Sequence, residues 1–234
     1  MAQASSSLNT NFCIYLCSKS AYLHCKSRNA CCSQFKDIPQ IMTEDEILSE
    51  FRAAEALLEG HFLLSSGRHS AYYLQCARLL MNADRASRIA VAVAQKLPRD
   101  IRSQIEVVVS PAMGGIIIGH EMGRALGVDA LFVERPEGVF GLRRGFALKE
   151  GQKVLMVEDV VTTGLSSREA IKAIADAGGE VIAAASIVDR SAGAADLGVP
   201  FFPLIELNFP TYAPDELPPE LAASEAIKPG SRKA

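Results

Sequence analysis

Residues 154–167 read V-L-M-V-E-D-V-V-T-T-G-L-S-S, and this stretch decides the fold. Its first four residues are apolar without alternation, which is typical of a strand that helices cover on both faces. We expect this strand to end in Glu158 and Asp159. The Thr, Gly and Ser residues that follow predict a turn and the start of a helix. Strand, turn and helix in this order indicate a parallel α/β sheet.

The same order of elements recurs on both sides of this stretch. We predict buried strands over residues 106–110, 153–157 and 181–188, and helices over residues 84–97, 114–126 and 166–177. Near the start of the chain, two short strands are expected at residues 61–64 and 72–74, around a turn at residues 65–67. The chain is therefore predicted to be an α/β protein with a parallel sheet flanked by helices.

The chain changes in character near residue 42. Residues 1–41 carry four cations and one acid, a charge of +3, whereas the whole chain has a charge of −3. Three interpretations of this leader stay open: a targeting leader, a disordered tail, or an upstream translation start with Met42 as the native first residue. We favour the third, because Thr43 and Glu46 have capping-box spacing before an amphipathic run that extends to residue 58.

The expected organisation is then a main domain over residues 42–208 and a Pro-rich tail over residues 209–234. The tail holds five prolines with scattered charge, so we expect it to be loosely attached. Of the six cysteines only Cys76 lies beyond the leader, which predicts a reducing, cytoplasmic compartment. The five leader cysteines match none of the paired spacings of zinc sites, so we favour a leader without zinc over a metal site.

Composition excludes two classes of partner. The 234 residues are 49% hydrophobic and 22% charged, as in an ordinary globular protein. A slightly acidic chain without a basic stripe argues against nucleic-acid binding. No stretch approaches the roughly 20 apolar residues of a membrane span. We therefore expect small-molecule substrates, with neither nucleic acid nor membrane as a partner.

The acids and hydroxyls of residues 158–167 suit a sugar phosphate. Free N–H groups and hydroxyls at the start of a helix attract anions, so the turn predicts a phosphate site. Glu158 and Asp159 can accept hydrogen bonds from ribose hydroxyls or lie near a magnesium ion. In the alternative, the acids only solvate a strand end and the hydroxyls only cap the helix. The fit of the whole stretch to one scheme favours the ligand site.

The stretch resembles the signature of type I phosphoribosyltransferases: an apolar strand, two acids, two apolar residues, then Thr, Thr or Ala, Gly and a small residue. Leu165 departs from it, because Gly, Ser or Thr is common there. The resemblance implies that 5-phosphoribosyl 1-diphosphate, called the donor below, binds at this turn. The residues that it implies as donor contacts are Arg135, Glu158, Asp159, Val160, Val161, Thr162, Thr163, Gly164, Leu165, Ser166, Met113 and Gly114.

Three more stretches are similar to the orotate branch of that family. Residues 60–80, G-H-F-L-L-S-S-G-R-H-S-A-Y-Y-L-Q-C-A-R-L-L, resemble its N-terminal hood over the base. Residues 110–119 resemble its diphosphate loop, and residues 188–190, V-D-R, its orotate-pairing arginine. The resemblance implies the type I phosphoribosyltransferase fold with a small hood within residues 43–80. The residues that it implies as orotate contacts are Thr162, Arg190, Ser66, Gly67 and Tyr73.

The reaction implied by the resemblance belongs to pyrimidine synthesis. With Mg²⁺ bound mainly through the donor, N1 of orotate displaces diphosphate at C1 of the ribose with inversion and gives orotidine 5′-phosphate. Preorganised cations would stabilise the departing diphosphate, and we expect Arg135, Arg143 and Arg144 in that role. The catalytic residues are then Arg135, Arg143 and Asp159. Residues 136–142 between the arginines predict a mobile lid, which in the family crosses to a neighbouring subunit and so implies a homodimer.

The sequence also departs from the family pattern. No Lys or His precedes Arg143 in the lid, Gly114 stands at a position where Lys is common, and Ser65 replaces a Lys common in the hood. Three other functions compete: a type I phosphoribosyltransferase for a purine or another base, a regulator that binds the donor without catalysis, and a receiver-like phosphoacceptor, which would need a further Asp after an internal strand. The first would lack the hood and V-D-R segments, and the second usually carries a basic DNA-binding module.

Overall fold

A computed structural model describes residues 42–64 and 66–228, which belong to one compact unit. The expectations for residues 1–41, including their cysteines, lie outside the described residues, as do Ser65 and residues 229–234. Nowhere in the two described ranges is a helix both long and apolar enough to cross a membrane.

Strands and helices alternate along most of the described chain. The helices are α1 (Glu44–Ala53), α2 (Cys76–Leu80), α3 (Ala83–Lys96), α4 (Arg99–Arg102), α5 (Gly115–Leu126), α6 (Leu165–Asp176) and α7 (Pro219–Ala222). The strands are β1 (Leu57–Leu63), β2 (His69–Leu74), β3 (Val107–Pro111), β4 (Asp129–Glu134), β5 (Gly141–Leu142), β6 (Gln152–Val161), β7 (Gly179–Asp189), β8 (Phe201–Glu206) and β9 (Thr211–Tyr212).

The larger sheet has six strands in the order β5-β4-β3-β6-β7-β8. All neighbouring strands in it are parallel except β5, which pairs antiparallel with β4 at one edge. Residues 107–109 and 154–157 are at most 1% exposed, because one apolar cluster with α3 and α5 and another with α6 cover the two faces. The predicted parallel α/β sheet flanked by helices is confirmed.

The smaller sheet has three strands in the order β1-β2-β9. β1 and β2 form an antiparallel hairpin, which confirms the predicted pair of strands. Gly67 in its turn has φ +78°, a backbone conformation that favours glycine. β9 adds to the other edge of β2 through the pairs His69↔Tyr212 and Ser70↔Thr211. This sheet is the structural counterpart of the predicted hood, completed by a strand from the C-terminal segment.

The C-terminal segment is attached more firmly than its composition predicted. The amide N–H of Ile227 donates to the carbonyl of His61 at 2.8 Å, and Ile227 also forms a parallel bridge with Phe62. The Nδ1 atom of the buried His61 lies 3.0 Å from the carbonyl oxygen of Ser224, and Leu221 is 6% exposed. The expected loose tail was therefore wrong for the described part of the segment. Its prolines prevent long regular elements but leave short strand pairing and apolar anchors possible.

The first helix begins as predicted and ends earlier. The Thr43 side chain accepts from the backbone of Glu46, and the Glu46 carboxylate accepts from the Thr43 N–H at 2.8 Å, which completes the capping box. The helix ends at Ala53, and Glu55 turns the chain with φ 49°. Residues 57 and 58, expected at the end of the helical run, lie instead in β1. A short apolar run fits either element, and pairing with β2 decides in favour of the strand.

Candidate active site

β6 is longer than predicted and carries both acids inside it. Glu158 and Asp159 do not end the strand, because the next two residues still pair with the end of β7. Successive side chains of a strand point to opposite faces. Glu158 therefore lies on the α6 side of the sheet and Asp159 on the side of the loop before α5, so the two carboxylates have different surroundings.

Glu158 is held by the helix that follows it. It is 8% exposed and accepts a hydrogen bond from the hydroxyl of Ser167 in α6. Burial raises the pKa of Glu158 above its ordinary value, the hydrogen bond from Ser167 opposes this shift, and the charge of Asp159 adds to it. The carboxylate thus forms a fixed wall of the region between β6 and α6.

Asp159 lies against the loop that joins β3 to α5. A Cβ atom on Gly114 would stand 2.7 Å from both carboxylate oxygens of Asp159, so the absence of a side chain at Gly114 leaves room for them. Met113, just before Gly114 and after a cis peptide bond, is 83% exposed. Burial raises the pKa of the Asp159 carboxyl, and backbone hydrogen bonds oppose the shift. The structure therefore brings the predicted diphosphate loop to the second acid.

A cavity of about 220 Å³ lies at the carboxyl end of β6 and the first turn of α6. Gly164, with φ +72°, turns the chain into the helix. The first amides of a helix have no partner within it, which favours an anion here. The cavity is lined by Arg135, Glu158, Val160, Thr162, Thr163, Gly164, Leu165, Ser166, Ser167 and Glu169.

Eight of the twelve residues predicted to contact the donor line this cavity. The side chain of Val161 does not, because it is 1% exposed and packs in the apolar cluster beneath α6. Asp159, Gly114 and Met113 form the neighbouring loop contact instead. Ser167 and Glu169 also line the cavity, although no sequence pattern singled them out.

Arg135 follows β4 and reaches the same cavity. Its guanidinium forms an ion pair with Glu169 of α6, and its Cζ atom lies 4.1 Å from the centre of the Phe140 ring. The side chains of Arg135 and Glu169 are 36% and 43% exposed. The guanidinium of Arg135 at this cavity is therefore already paired with a carboxylate of α6.

The predicted lid is a hairpin. β5 pairs with the last two residues of β4, and Phe140 beside it is 9% exposed. Val139 at the tip is 77% exposed. The strand pairing fixes the base of the loop. The Gly-rich sequence suggested that residues 136–142 form one uniformly mobile segment, and the pairing shows that they do not.

The two arginines after the hairpin differ in their contacts. Arg144 donates to Glu134 from Nε at 3.0 Å and from Nη2 at 2.7 Å. This pairing lowers the pKa of Glu134 and raises that of Arg144. Arg143 is exposed, and within the described ranges its side chain makes no hydrogen bond or ion pair. Arg144 is thus paired directly within the hairpin, whereas Arg143 makes no such pair and only its charge contributes to the lowered pKa of Glu134.

Arg190 stands at the end of the neighbouring strand β7. Its backbone N–H donates to the carbonyl of Val161 at 2.8 Å, which places it beside the end of β6. The Nε atom of Arg190 is buried and finds no hydrogen-bond partner in the part of the chain that the structure describes. Burial lowers the pKa of this guanidinium. Because buried donors nearly always have an acceptor, a water molecule or a ligand group is expected beside this atom.

The hood reaches Arg190 through residues that the sequence did not single out. Tyr73 donates its phenol hydrogen to Gln75 at 3.1 Å, and Ser66 and Gly67 lie in the exposed hairpin turn. The ring of Tyr72 instead stacks on the ring of Phe209, with centroids 4.7 Å apart. The Arg190 guanidinium lies over the ring of Phe209 as well. Adjacent tyrosines in a strand face opposite sides, so the motif alone could not choose between them.

A turn that leads into a helix lies beside two acids at the carboxyl ends of a parallel sheet, which is the edge where α/β proteins of this class bind their ligands. Residues 82–202 match the phosphoribosyl transferase domain family. The orotate phosphoribosyltransferase of Novosphingobium aromaticivorans is 82% identical over 191 residues, 82% of this chain and 98% of the relative. That of Sphingopyxis alaskensis is 72% identical over 192 residues, with the same coverage. The solved orotate phosphoribosyltransferase of Aeropyrum pernix has a TM-score of 0.56 at 26% identity, covering 68% of this chain and 93% of its own.

The chain belongs to the orotate phosphoribosyltransferase family. The resemblance found in the sequence and the predicted fold are therefore confirmed.

Proposed function

We propose that the chain transfers the 5-phosphoribosyl group of the donor to N1 of orotate, giving orotidine 5′-phosphate and diphosphate. The observation that carries this proposal is the buried, unpartnered Nε of Arg190 at the strand end next to the anion-type cavity. A guanidinium pairs strongly with a carboxylate. Orotate has a carboxylate on its ring, whereas uracil and the purine bases have none, so Arg190 favours orotate.

The donor is proposed to bind across β6. Its 5-phosphate occupies the cavity at the start of α6, where the hydroxyls of Thr162, Thr163 and Ser166 and the first-turn amides donate to it. Asp159 and Glu158 accept hydrogen bonds from the ribose hydroxyls. The diphosphate lies toward the Met113–Gly114 loop, which contacts Asp159. Charge-assisted hydrogen bonds of this kind contribute about 1.5 to 3 kcal/mol each.

In the transfer step, the N1 proton of orotate passes to water, and the electron pair left on N1 forms a bond to C1 of the ribose. The bond from C1 to the diphosphate oxygen breaks, and its electron pair leaves with the diphosphate. Arg190 and Thr162 hold the base, while Arg135 and Arg143 offset the growing charge on the leaving group. Arg135 must share its charge with Glu169, so Arg143 is the cation with fewer prior commitments.

The carboxylates of the site fit an Mg²⁺ ion that enters with the substrate. The described residues hold no group of three or more His, Cys, Asp or Glu side chains arranged for a metal. Mg²⁺ commonly takes one or two carboxylates together with substrate phosphates, and Asp159 and Glu158 offer those carboxylates. When bound, Mg²⁺ would offset charge on the diphosphate.

A homodimer is proposed as well, with the hairpin tip completing the site of the neighbouring copy. The exposed apolar Val139 and the exposed Arg143 support this arrangement. Mixing Arg143→Ala and Asp159→Asn subunits tests it, because a crossing loop gives some mixed dimers one intact site. Activity well above that of either variant is expected, and a mixture no more active than its parts contradicts the crossing.

A cytoplasmic location is proposed from the buried free thiol of Cys76.

The reaction is tested by following orotate absorbance with protein, donor and Mg²⁺. We expect orotate to be consumed and orotidine 5′-phosphate to form, with uracil a far poorer substrate. Arg190→Ala should raise the KM for orotate by tenfold or more, about 1.5 kcal/mol or above, and leave the KM for the donor nearly unchanged. Arg124→Ala, which removes an exposed arginine paired with Glu121, is the matched control. An equal rise in both KM values would contradict the role of Arg190.

A further inference from the structure

One short segment connects the six-stranded sheet to the hood sheet. The N–H of Leu207, after β8, donates to the carbonyl of Asp189 at 2.8 Å, next to Arg190. Four residues later, Thr211 pairs with Ser70 of the hood strand β2. Phe209 is the middle residue of this crossing, so it lies between the end of β7, just before Arg190, and the hood strand β2.

The ring of Phe209 has an aromatic neighbour and a cationic neighbour. Tyr72 of the hood stacks on it with ring centroids 4.7 Å apart and planes inclined by 21°. The Cζ atom of Arg190 lies 5.7 Å from the ring centroid. This separation is within the range of a cation–π contact.

Among the described residues, the interaction found for the Arg190 guanidinium is its cation–π contact with Phe209. Its buried Nε has no hydrogen-bond partner among the residues described, and no ion pair within those residues holds the guanidinium. A contact with the ring face uses the face of the guanidinium and leaves the N–H groups at its edge for a carboxylate. The same arginine can therefore contact Phe209 and a planar anionic ligand at once.

We propose that Phe209 is a positioning residue for base recognition: its ring, supported by Tyr72, holds the guanidinium of Arg190 ready for the carboxylate of the base. This rests on the proposed function, because it takes Arg190 as the carboxylate-binding residue. The C-terminal segment then belongs to the base site, although it lies outside the motifs of the sequence. Phe209 acts through Arg190 and does not itself react.

The test measures KM for orotate and for the donor separately in Phe209→Leu. We expect the KM for orotate to rise about tenfold, within the range of a partly desolvated cation–π contact, and the KM for the donor to change less than twofold. Phe209→Tyr, which keeps the ring, should restore the ordinary KM for orotate. Phe202→Leu, an aromatic loss in the neighbouring strand β8, is the matched control. Phe209→Met, which keeps bulk without a ring, serves if Phe209→Leu does not fold.

A double-mutant cycle separates positioning from general support of the hood. If Phe209 acts through Arg190, Phe209→Leu adds nothing to the KM for orotate in an Arg190→Ala background. An additive effect, or an equal rise in the KM for the donor, would overturn the positioning role. If Arg190→Ala alone leaves the KM for orotate unchanged, the assignment of Arg190 in the proposed function is wrong. If Arg190→Ala raises it and Phe209→Leu does not, only the role of Phe209 is wrong.

Discussion

Replacing Gly114 by alanine tests whether the position of the Asp159 carboxylate controls the reaction. The backbone of Gly114 has φ −58° and ψ −39°, which alanine adopts readily. The new Cβ would stand 2.7 Å from both carboxylate oxygens of Asp159, whereas ordinary contact begins at 3.4 Å. The carboxylate must therefore move by about 0.7 Å, and a misplacement of about 1 Å in an active site can cost about 100-fold in rate.

We expect Gly114→Ala to lower kcat/KM by about 100-fold in the orotate absorbance assay. Its melting temperature should stay close to that of the parent, because only a short side chain has to move. The variant is also made in an Asp159→Ala background, where the clash is absent. There the alanine at position 114 should cost almost nothing. A full loss in that background, or no loss in the parent, would refute the link between Gly114 and Asp159.

Four further substitutions probe the charges of the site. Glu169→Gln releases Arg135 from a half-exposed ion pair worth about 0.2 to 1 kcal/mol, so the KM for the donor should fall by up to about fivefold; a rise would mean that Glu169 orients Arg135 productively. Arg143→Ala should lower kcat/KM by about tenfold or more, and Arg144→Ala by less, in parallel assays. Asp159→Asn should lower kcat/KM by about 100-fold or more yet raise the melting temperature at neutral pH. Because burial raises the pKa of Asp159, ionising its carboxyl lowers the stability of the folded parent protein. This loss is absent below the unfolded pKa and becomes complete as the pH rises through the folded pKa. The melting temperatures of the parent and of Asp159→Asn, measured between pH 4 and 8, should therefore differ more at higher pH.

The central sheet was predictable because burial on both faces leaves a direct mark on the sequence. Residues 107–109 and 154–157 are uninterrupted apolar runs, and they are the completely buried centre of β3 and β6. The turn into α6 was predictable for a similar local reason. Gly164 has a positive φ that favours glycine, and hydroxyl residues surround it.

Side-chain direction at the acids was not predictable from the motif. It depends on where β6 ends, and β6 extends past Asp159 because its last two residues pair with β7. That pairing is a contact between distant segments and leaves no local pattern. The same limit applies to Tyr72 and Tyr73, since hood packing decides which of them meets Phe209.

Residues outside any motif were missed for a different reason. Glu169 lies just beyond the first turn of α6, and only the path of the chain after β4 brings Arg135 to it. Phe209 stands among prolines and polar residues that are typical of a loose tail. Its importance comes from strand pairing at Thr211, which local composition does not report.

The hood sheet joins the beginning of the described chain to its last segments, and this ordering bears on synthesis at the ribosome. β3, β6 and α6 are all translated before β9. The elements of the proposed phosphate site are therefore complete while β2 is still paired with β1 alone and lacks β9. Contacts between such distant segments form late, after the intervening chain has been ordered. A nascent chain therefore contains every strand and helix of the proposed phosphate site before Phe209 is added, so the proposed base site is completed last in synthesis.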